Sequence, residues 1–362
     1  MTRVGVFGPG GMGSVAIYEI TQRPELELAA VRCYSRKKAG RDVGELLGLD
    51  RIGVTITDDP DEALAARCDC VLYCARDTGD NSTDDEILHL LASGANVITP
   101  IPYHNAALWR EPEFTVRLGQ ACTEGGSTFH STGMSPDLVS ERLALALTGM
   151  TADLRSLTIR ENWPAHGLGP VLLEAVGLGL PVAEAQRKRL PATMSKNVLR
   201  SVGRSIEHAL GVTFDRVEET HEFLPAPVDT RAGRVSIAAG TVGRIRHRFR
   251  GWESAELPLF TLELNWFIGP ENLPDGVNPG EYWIVEIEGR PSARMTIDLR
   301  ASLENDDRFF RVGARRTDPG YHGTIAACLQ ALPHVIAAPP GILPSFEAPL
   351  HWTRDLGHPW PV

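Results

Sequence analysis

Six residues near the start of the chain have the types and spacing for anion binding. Gly8-Pro9-Gly10-Gly11-Met12-Gly13 reads G-x-G-x-x-G. The glycines have separate physical roles. Gly8 permits a tight turn, Gly10 lets backbone approach a diphosphate, and Gly13 lets a helix pack closely on a strand. A diphosphate there rests on the free N–H groups and the positive dipole end of the following helix. Gly11 and Met12 complete the cradle. No Gly-Lys-Ser/Thr follows, so this is not the phosphate loop of a nucleoside triphosphatase.

The elements around the cradle are those it needs. Arg3 to Phe7 is a short apolar strand, Ser14 to Thr21 has helical spacing ended by Gln22-Arg23-Pro24, and Leu26 to Val31 reads as the next strand. This β-α-β context turns a weak motif into a dinucleotide site. At the end of the second strand an NAD site carries Asp or Glu for the ribose 2′-hydroxyl. Here the residues are Arg32-Cys-Tyr-Ser35-Arg36-Lys37-Lys38, with no carboxylate before Asp42. A hydroxyl followed by cations suits a 2′-phosphate, with Arg36 able to grip it bidentately. The expected cofactor is NADP(H), with NAD(H) a further option; a solvated basic turn is the bland alternative.

Further along, strand and helix patterns alternate as in a doubly wound sheet. Val54 to Thr57 reads as a strand and Asp58 to Ala65 as a capped helix. Cys68 to Cys74 is a buried strand, and Ala75 and Arg76 lie at its carboxyl end, where such sheets bind ligands. Asp84 to Ser93 is helical, Asn96 to Thr99 is a strand leading to Pro100-Ile-Pro-Tyr103-His104, and a helix lies around Arg117 to Thr123. Ser127 to His130 is a strand running into Ser131-Thr-Gly133-Met134-Ser135-Pro136.

From about Thr151 the pattern changes to strands in succession: Leu154 to Glu161, Asp215 to Phe223, Arg234 to Ala238, Thr241 to Arg250, Pro258 to Phe267, Tyr282 to Glu288 and Ala293 to Arg300. An amphipathic helix over Met194 to Ala209 precedes most of them. Strands in succession imply a mixed, mostly antiparallel sheet with one face covered. The other face is a candidate dimer surface, and Trp266 and Phe267 either pack there or in the core. The α/β architecture is thus an N-terminal Rossmann domain plus a second α+β domain. The expected domains are 1–135, completed by 320–362, and 136–319 for substrate and dimerisation.

The bulk numbers narrow the function. The 362 residues carry a formal net charge of −10, which argues against nucleic acid as a partner. The basic run Arg244-Ile-Arg-His-Arg-Phe-Arg250 alternates like one face of a strand. No apolar run approaches the roughly 20 residues that span a bilayer, and Met1 leads straight into a strand, so no membrane partner and a cytoplasmic location are expected. Cys68, Cys70 and Cys74 lack metal-site spacing and read as buried thiols, so no metal is expected.

Several stretches together resemble the dihydrodipicolinate-reductase-like superfamily, in the branch of the native amine dehydrogenases and 2,4-diaminopentanoate dehydrogenase. They are Tyr34 to Gly48, Gly94 to Thr99, Gly125 to Pro136, Gly177 to Gly179, Tyr282 to Pro291 and Leu332 to Ile342. The resemblance implies a Rossmann domain to which the C-terminal segment returns, a mixed-sheet second domain, and homodimers paired through that domain. It also implies a small-molecule substrate held between domains, where hydride passes between nicotinamide and an imine or carbonyl carbon. Three departures stand out. The family places a glutamate a few residues after the strand matching Asn96 to Thr99, where it moves protons with ammonia or the amine; residues 100–104 hold no carboxylate. The family's Gly-Ile-Asn-Pro is Gly133-Met-Ser135-Pro136, and Gln330 replaces another Asn. The histidine pair and Lys-Asp-Ala-Pro-Ser-Gly-Thr loop of the reductases proper are missing.

Hydride chemistry needs a proton partner near the reacting heteroatom. His104 and Tyr103 occupy the stretch of the family glutamate and are the first candidates, with an exposed loop the alternative for His104. His130 ends a strand beside the cofactor loop, as a catalyst or as a core histidine bonded to backbone. Pro100, Gly133 and Ser135 are expected near the nicotinamide. Met134, Trp163 and Leu172 form an expected apolar wall around the substrate, with Glu161 and His166 facing it. The reading is an NADP(H)-dependent oxidoreductase acting on C=N or CH–NH₂, aminating an apolar ketone or aldehyde. A carbonyl reductase and a non-catalytic NADP(H)-sensing protein are the alternatives.

Overall fold

The structure is a computed structural model. It describes residues 1–75, 82–168, 170–188, 190–232, 235–254, 256–305, 307–313, 315–348 and 355–358. The chain divides into two compact units. The first is Met1–Leu138 with Phe309–Val362, and the second is Val139–Arg308.

In the first unit, β1 (Thr2–Phe7), α1 (Gly11–Thr21) and β2 (Leu26–Arg32) form the initial crossover. Next come α2 (Val43–Leu47), β3 (Ile56–Thr57), α3 (Pro60–Ala65), β4 (Cys70–Tyr73), α4 (Ser82–Ala92), β5 (Asn96–Thr99), α5 (Pro112–Gly125) and β6 (Thr128–Ser131). The strands lie parallel in the order β6-β5-β4-β1-β2-β3. The chain leaves for the second unit and comes back as the Pro319–Ala337 helix and a strand at Gly341–Ile342, which pairs in parallel with β6. The order reverses between β1 and β4, which makes their carboxyl ends the topological switch point.

Alternation within these strands feeds two cores. Val4, Val6, Cys70 and Leu72 face Val15, Ile17 and Ile20 of α1 and Ile325, Leu329 and Leu332 of the returning helix. Phe7, Val71, Tyr73 and Val97 face Ile87, Leu91, Phe114 and Leu118 on α4 and α5. A sheet buried on both faces explains its near-continuous apolar runs. The returning helix is started by Asp318, whose carboxylate accepts from the Gly320 amide (2.7 Å), with Pro319 at its first position.

The second unit is built on β7 (Ser156–Pro164), β8 (Arg216–Pro225), a ribbon of β9 (Thr230–Ala232) and β10 (Val235–Ile237), β11 (Val242–Trp252), β12 (Phe260–Phe267), β13 (Glu281–Glu288) and β14 (Ala293–Asp298). The main sheet runs β14-β13-β7-β12-β11-β8, antiparallel except for the parallel pair β7–β12. Helix Arg200–Leu210 covers one face, and Gly203 there allows close approach: a β-carbon would lie 2.6 Å from Phe249 Cζ. The other face is ruled by cross-strand ion pairs. Arg248 meets Glu263 (Nε–Oε2 2.8 Å), Arg246 meets Glu222, and Arg250 meets Glu218 (3.1 Å). The basic run of β11 is therefore half of a charge-compensated face.

Two expectations shift. Trp266 turns to the helix-covered side, edge-to-face with Trp163, while Phe267 alternates with Glu263 and Asn265 on the charged side. Strand β7 begins two residues later than expected and continues past Glu161 to Pro164, which places Trp163 in the sheet.

Candidate active site

The cradle takes its shape from close backbone approaches. Gly8 sits at φ +88°, and a β-carbon on it would lie 2.6 Å from both Cα and N of Ala75, so the ends of β1 and β4 nearly touch. A β-carbon on Gly13 would lie 2.2 Å from the Gly8 carbonyl oxygen, so only glycine lets α1 start this close to the turn. Gly10 is different: it is exposed, and its nearest such contact is 3.9 Å away. The first helical hydrogen bond is Ser14 N–H to Gly10 O (3.0 Å), so the amides of Gly11, Met12 and Gly13 precede the ladder. Met12 is half-buried against the α1 core. Tight at Gly8 and Gly13 and open at Gly10, the turn fits a dinucleotide diphosphate on the dipole end of an 11-residue helix.

Residues from the last of β2 onward divide into two sets. Arg32 is consumed internally: it ion-pairs with Glu86 of α4, and that carboxylate also accepts from the hydroxyls of Tyr34 and Tyr73, each at 2.6 Å. Ser35, Arg36 and Lys37 are exposed, and neither cation has a hydrogen bond or ion pair among the described residues. Lys38, next along, bends back to donate to the Pro9 carbonyl (2.6 Å), and burial together with nearby Arg315 pulls its ammonium below the usual lysine value. Tyr321 of the returning helix lies under Gly11, its ring 3.0 Å from where a β-carbon would stand; burial pushes its phenol up to about 12. Nothing in the local sequence of the turn announces Tyr321 or Arg315, because both arrive from some 300 residues away.

The loop after β5 is pinned rather than exposed. Ser131 Oγ donates to the Ile101 carbonyl (2.7 Å) and accepts from Tyr103 N–H (3.2 Å), and Thr99 Oγ1 accepts from Ile101 N–H (3.1 Å). Pro100 is part-buried at its start. His104 is 2% exposed, which replaces the exposed-loop alternative with a buried ring. Tyr103 points into the α4–α5 core beside Phe114 and Phe129, and its hydroxyl donates to Asp84, which Arg110 also holds at 2.7 Å. That phenol is committed to a buried ion pair. His130 is 1% exposed, and its Nδ1 donates to the Leu343 carbonyl (3.0 Å), tying β6 to the returning chain. Gly133 lies against Thr324 (3.2 Å to a β-carbon), and Met134 packs on Gly323 of the same helix instead of forming an open wall. Ser135 is part-buried. Asp137, two residues on, holds φ +103° and accepts from Thr132 Oγ1 (2.6 Å), strain of a kind that gathers at functional loops. Arg76 lies outside the described residues, as does the side chain of His166.

In the second unit the geometry gathers a cluster around Glu161. Trp266 Nε1 donates to its Oε1 (3.3 Å) and Trp283 Nε1 to its Oε2 (3.2 Å). Trp163 is half-buried and meets Trp266 edge-on, with centroids 5.6 Å apart. Behind Trp266 stands His247, fully buried, its Nδ1 2.8 Å from that of His221; burial and His221 push its pKa down to about 3. Leu172 is partly exposed on the Pro170–Val176 helix. Spacing along β7 brought out Glu161 and Trp163. The indoles that dress the carboxylate come from other strands and carry no local signal.

A parallel sheet with a glycine cradle at its switch point, joined to a mixed-sheet unit, defines a Rossmann-type dinucleotide oxidoreductase. Known proteins agree with this class. Residues 2–83 match the N-terminal domain of dihydrodipicolinate reductase, and residues 138–303 match the 2,4-diaminopentanoate dehydrogenase C-terminal domain. An amine dehydrogenase of Streptomyces virginiae is 31% identical over 95% of both chains. The 2,4-diaminopentanoate dehydrogenase of Acetoanaerobium sticklandii is 24% identical over 96% of this chain and 93% of that one. The solved structure of an amine dehydrogenase from Mycobacterium smegmatis has the same fold, with TM-score 0.78, 23% identity and 98% of each chain covered. The chain belongs to the amine dehydrogenase and 2,4-diaminopentanoate dehydrogenase branch of the dihydrodipicolinate-reductase-like family. It is an NAD(P)-dependent oxidoreductase. Among the described residues no helix is long and apolar enough to cross a membrane.

Proposed function

We propose that the protein is an NADP(H)-dependent amine dehydrogenase that interconverts an apolar ketone or aldehyde, with ammonia, and the primary amine. The observation that carries the cofactor choice is the exposed pair Arg36 and Lys37 beside Ser35, without a hydrogen bond or ion pair among the described residues, in the place where a carboxylate would hold the ribose 2′-hydroxyl. Glycines 8, 10 and 13, with the Gly11, Met12 and Gly13 amides, would hold the diphosphate. Ala75, Pro100, Gly133 and Ser135 line the carboxyl ends of the strands where the nicotinamide half would lie. When bound, the cofactor supplies the hydride acceptor or donor. The amine assignment is supported by the two curated relatives, one an amine dehydrogenase and one a diaminopentanoate dehydrogenase. The part-exposed Trp163 and Leu172 suit an apolar substrate better than a diacid.

The protein works as a homodimer paired through the second unit. The support is a sheet with its helix on one face and a partly exposed, charge-compensated face on the other. Sedimentation at micromolar concentration checks this, and a monomer refutes it.

One observation favours a carbonyl reductase: the loop at 100–104 holds no carboxylate to manage ammonia. NADPH oxidation with a panel of ketones, with and without ammonium, decides. Amine product that requires ammonium supports the proposal; ammonia-independent turnover to alcohol sinks it. For the cofactor, Arg36→Ala is expected to raise the Kd for NADP⁺ about tenfold, the loss of one charged-group hydrogen bond, and to leave NAD⁺ nearly unchanged. Equal losses would refute the basic-turn assignment.

A further inference from the structure

Two short strands of the returning segment, β15 (Phe310–Val312) and β16 (Arg315–Thr317), pair antiparallel. They belong to the nucleotide-binding unit and are pinned to the helices before and after β2. On the α1 side, the Phe310 ring stacks on that of His322 (centroids 4.0 Å apart), and His322 Nδ1 lies 3.1 Å from Glu19 Oε1. On the α2 side, Gly313 holds φ +56°, and a β-carbon on it would lie 2.2 Å from the Leu47 carbonyl oxygen. Register then fixes where the arginines leave the pair. Residues directly opposite in an antiparallel pair share a face. Arg315 is opposite Val312, which is fully buried in the core of β1, β2 and α1, so Arg315 leaves from the face turned to the unit. Arg311 is opposite Arg316, and these two share the outer face.

Other arginines of this unit are met by carboxylates: Arg3 by Glu27, Arg23 by Glu19, Arg41 by Glu45 and Arg110 by Asp84. Arg315 is exposed, with no hydrogen bond or ion pair among the described residues. What stands near it is a second cation, Lys38, whose ammonium is held below the usual lysine value by burial and then by the charge of Arg315. Lys38 spends one of its three N–H donors on the Pro9 carbonyl (2.6 Å), inside the glycine turn. Two like charges brought together beside a diphosphate cradle, from segments far apart in the chain, repel each other. A doubly charged anion between them offsets that cost, and a guanidinium fork matches phosphate oxygens in geometry as well as charge.

We propose that Arg315 is a cofactor-specificity residue: together with Arg36 and Lys38 it closes a seat for the 2′-phosphate of NADP(H). This rests on the NADP(H) reading and deepens it, because the turn after β2 supplies one wall of the seat and the returning segment supplies the other. Arg36 grips from the turn, Arg315 from the β15–β16 pair, and the free donors of Lys38 link the seat to the glycine cradle through Pro9.

The test titrates NADP⁺, NAD⁺, adenosine 2′,5′-bisphosphate and adenosine 5′-monophosphate calorimetrically into the whole chain. Wild type should prefer NADP⁺ to NAD⁺ and the bisphosphate to the monophosphate. Arg315→Gln should lower both preferences at least about tenfold, the loss of a hydrogen bond to a charged group. Arg311→Gln removes the same charge from the outer face of the same strand pair and should change neither preference by more than about twofold. Preferences undiminished in Arg315→Gln overturn the proposal and leave the NADP(H) reading standing. Equal falls in the two variants also overturn it, because they show a diffuse field in place of a held phosphate. A wild type that does not distinguish NADP⁺ from NAD⁺ refutes the NADP(H) reading and the proposal with it. Should Arg315→Gln fail to fold, Arg315→Lys keeps the charge and loses the planar fork. It must lower both preferences, and unaltered ones overturn the proposal.

Discussion

Alanine at Gly10 and alanine at Gly13 should fail in opposite ways. At Gly13 the new methyl would sit 2.2 Å from the Gly8 carbonyl oxygen, more than 1 Å inside ordinary contact. The helix must retreat from the strand, and overpacking of that kind costs about 1–3 kcal/mol. At about 2–4 °C per kcal/mol for a unit of this size, Tm should fall by roughly 2–12 °C, with or without cofactor. At Gly10 the nearest atom is 3.9 Å away and φ is −91°, so alanine fits the protein and Tm should hold. The same methyl occupies the space a diphosphate needs. Pushing a phosphate oxygen off one amide removes a charge-assisted hydrogen bond of about 1.5–3 kcal/mol, or about 10- to 150-fold in Kd. Calorimetric titration of NADP⁺ and NAD⁺ into both variants, beside thermal melts, reads the two effects separately. If Gly10→Ala binds both nucleotides as tightly as wild type, the turn does not hold a diphosphate and the reasoning fails.

Tyr103→Phe should cost about 1–3 kcal/mol of stability, because it strips a donor from the buried Asp84–Arg110 pair, and should leave the pH profile of kcat intact. Lost kcat at unchanged Tm would make the phenol a proton donor after all. His247 is buried neutral, with its pKa depressed from 6.5 to about 3. The unfolded chain therefore binds a proton that the folded one refuses, and stability falls as pH drops from 6.5 towards 3. His247→Gln should remove about 2 kcal/mol of the loss between pH 7 and 5, at 1.36 kcal/mol per pH unit below 6.5; parallel denaturation curves for both proteins at the two pH values would contradict this. Glu19 titrates below 4.5 through its hydrogen bond to His322 (3.1 Å) and to Arg23. Its contribution is full above pH 4.5 and is lost on acidification through the lowered folded value, so Glu19→Gln should lower Tm at pH 7 and close on wild type as the pH falls below 4.5.

What the sequence made legible was local. The cradle lies within six residues, and its glycines are forced by contacts inside one β-α-β unit. Period-2 patterns revealed β7, β11 and β12 because burial on one face imposes alternation. Side-chain destinations were harder. Tyr103 and His104 are adjacent, and nothing in their order says that the phenol enters the α4–α5 core to meet Asp84. His130 as a core residue depended on a carbonyl 213 positions away. The setting of Glu161 depended on indoles 105 and 122 residues distant, joined by sheet register that no local window contains. Trp266 could not be assigned to a face until its partner strand was known.

The helix Pro319–Ala337 completes the core under β1 and β4, and it is made only after the whole of the intervening unit. Until it emerges from the ribosome, Val4, Val6, Leu72 and the inner side of α1 have only each other and lack the cover of Ile325, Leu329 and Leu332, so the nucleotide-binding half stays unfinished while the intervening unit is already whole. A chain cut after residue 308 should therefore be sticky and short-lived in the cell. Supplying residues 309–362 as a separate polypeptide, and recovering nucleotide affinity, would show how late that half is assembled.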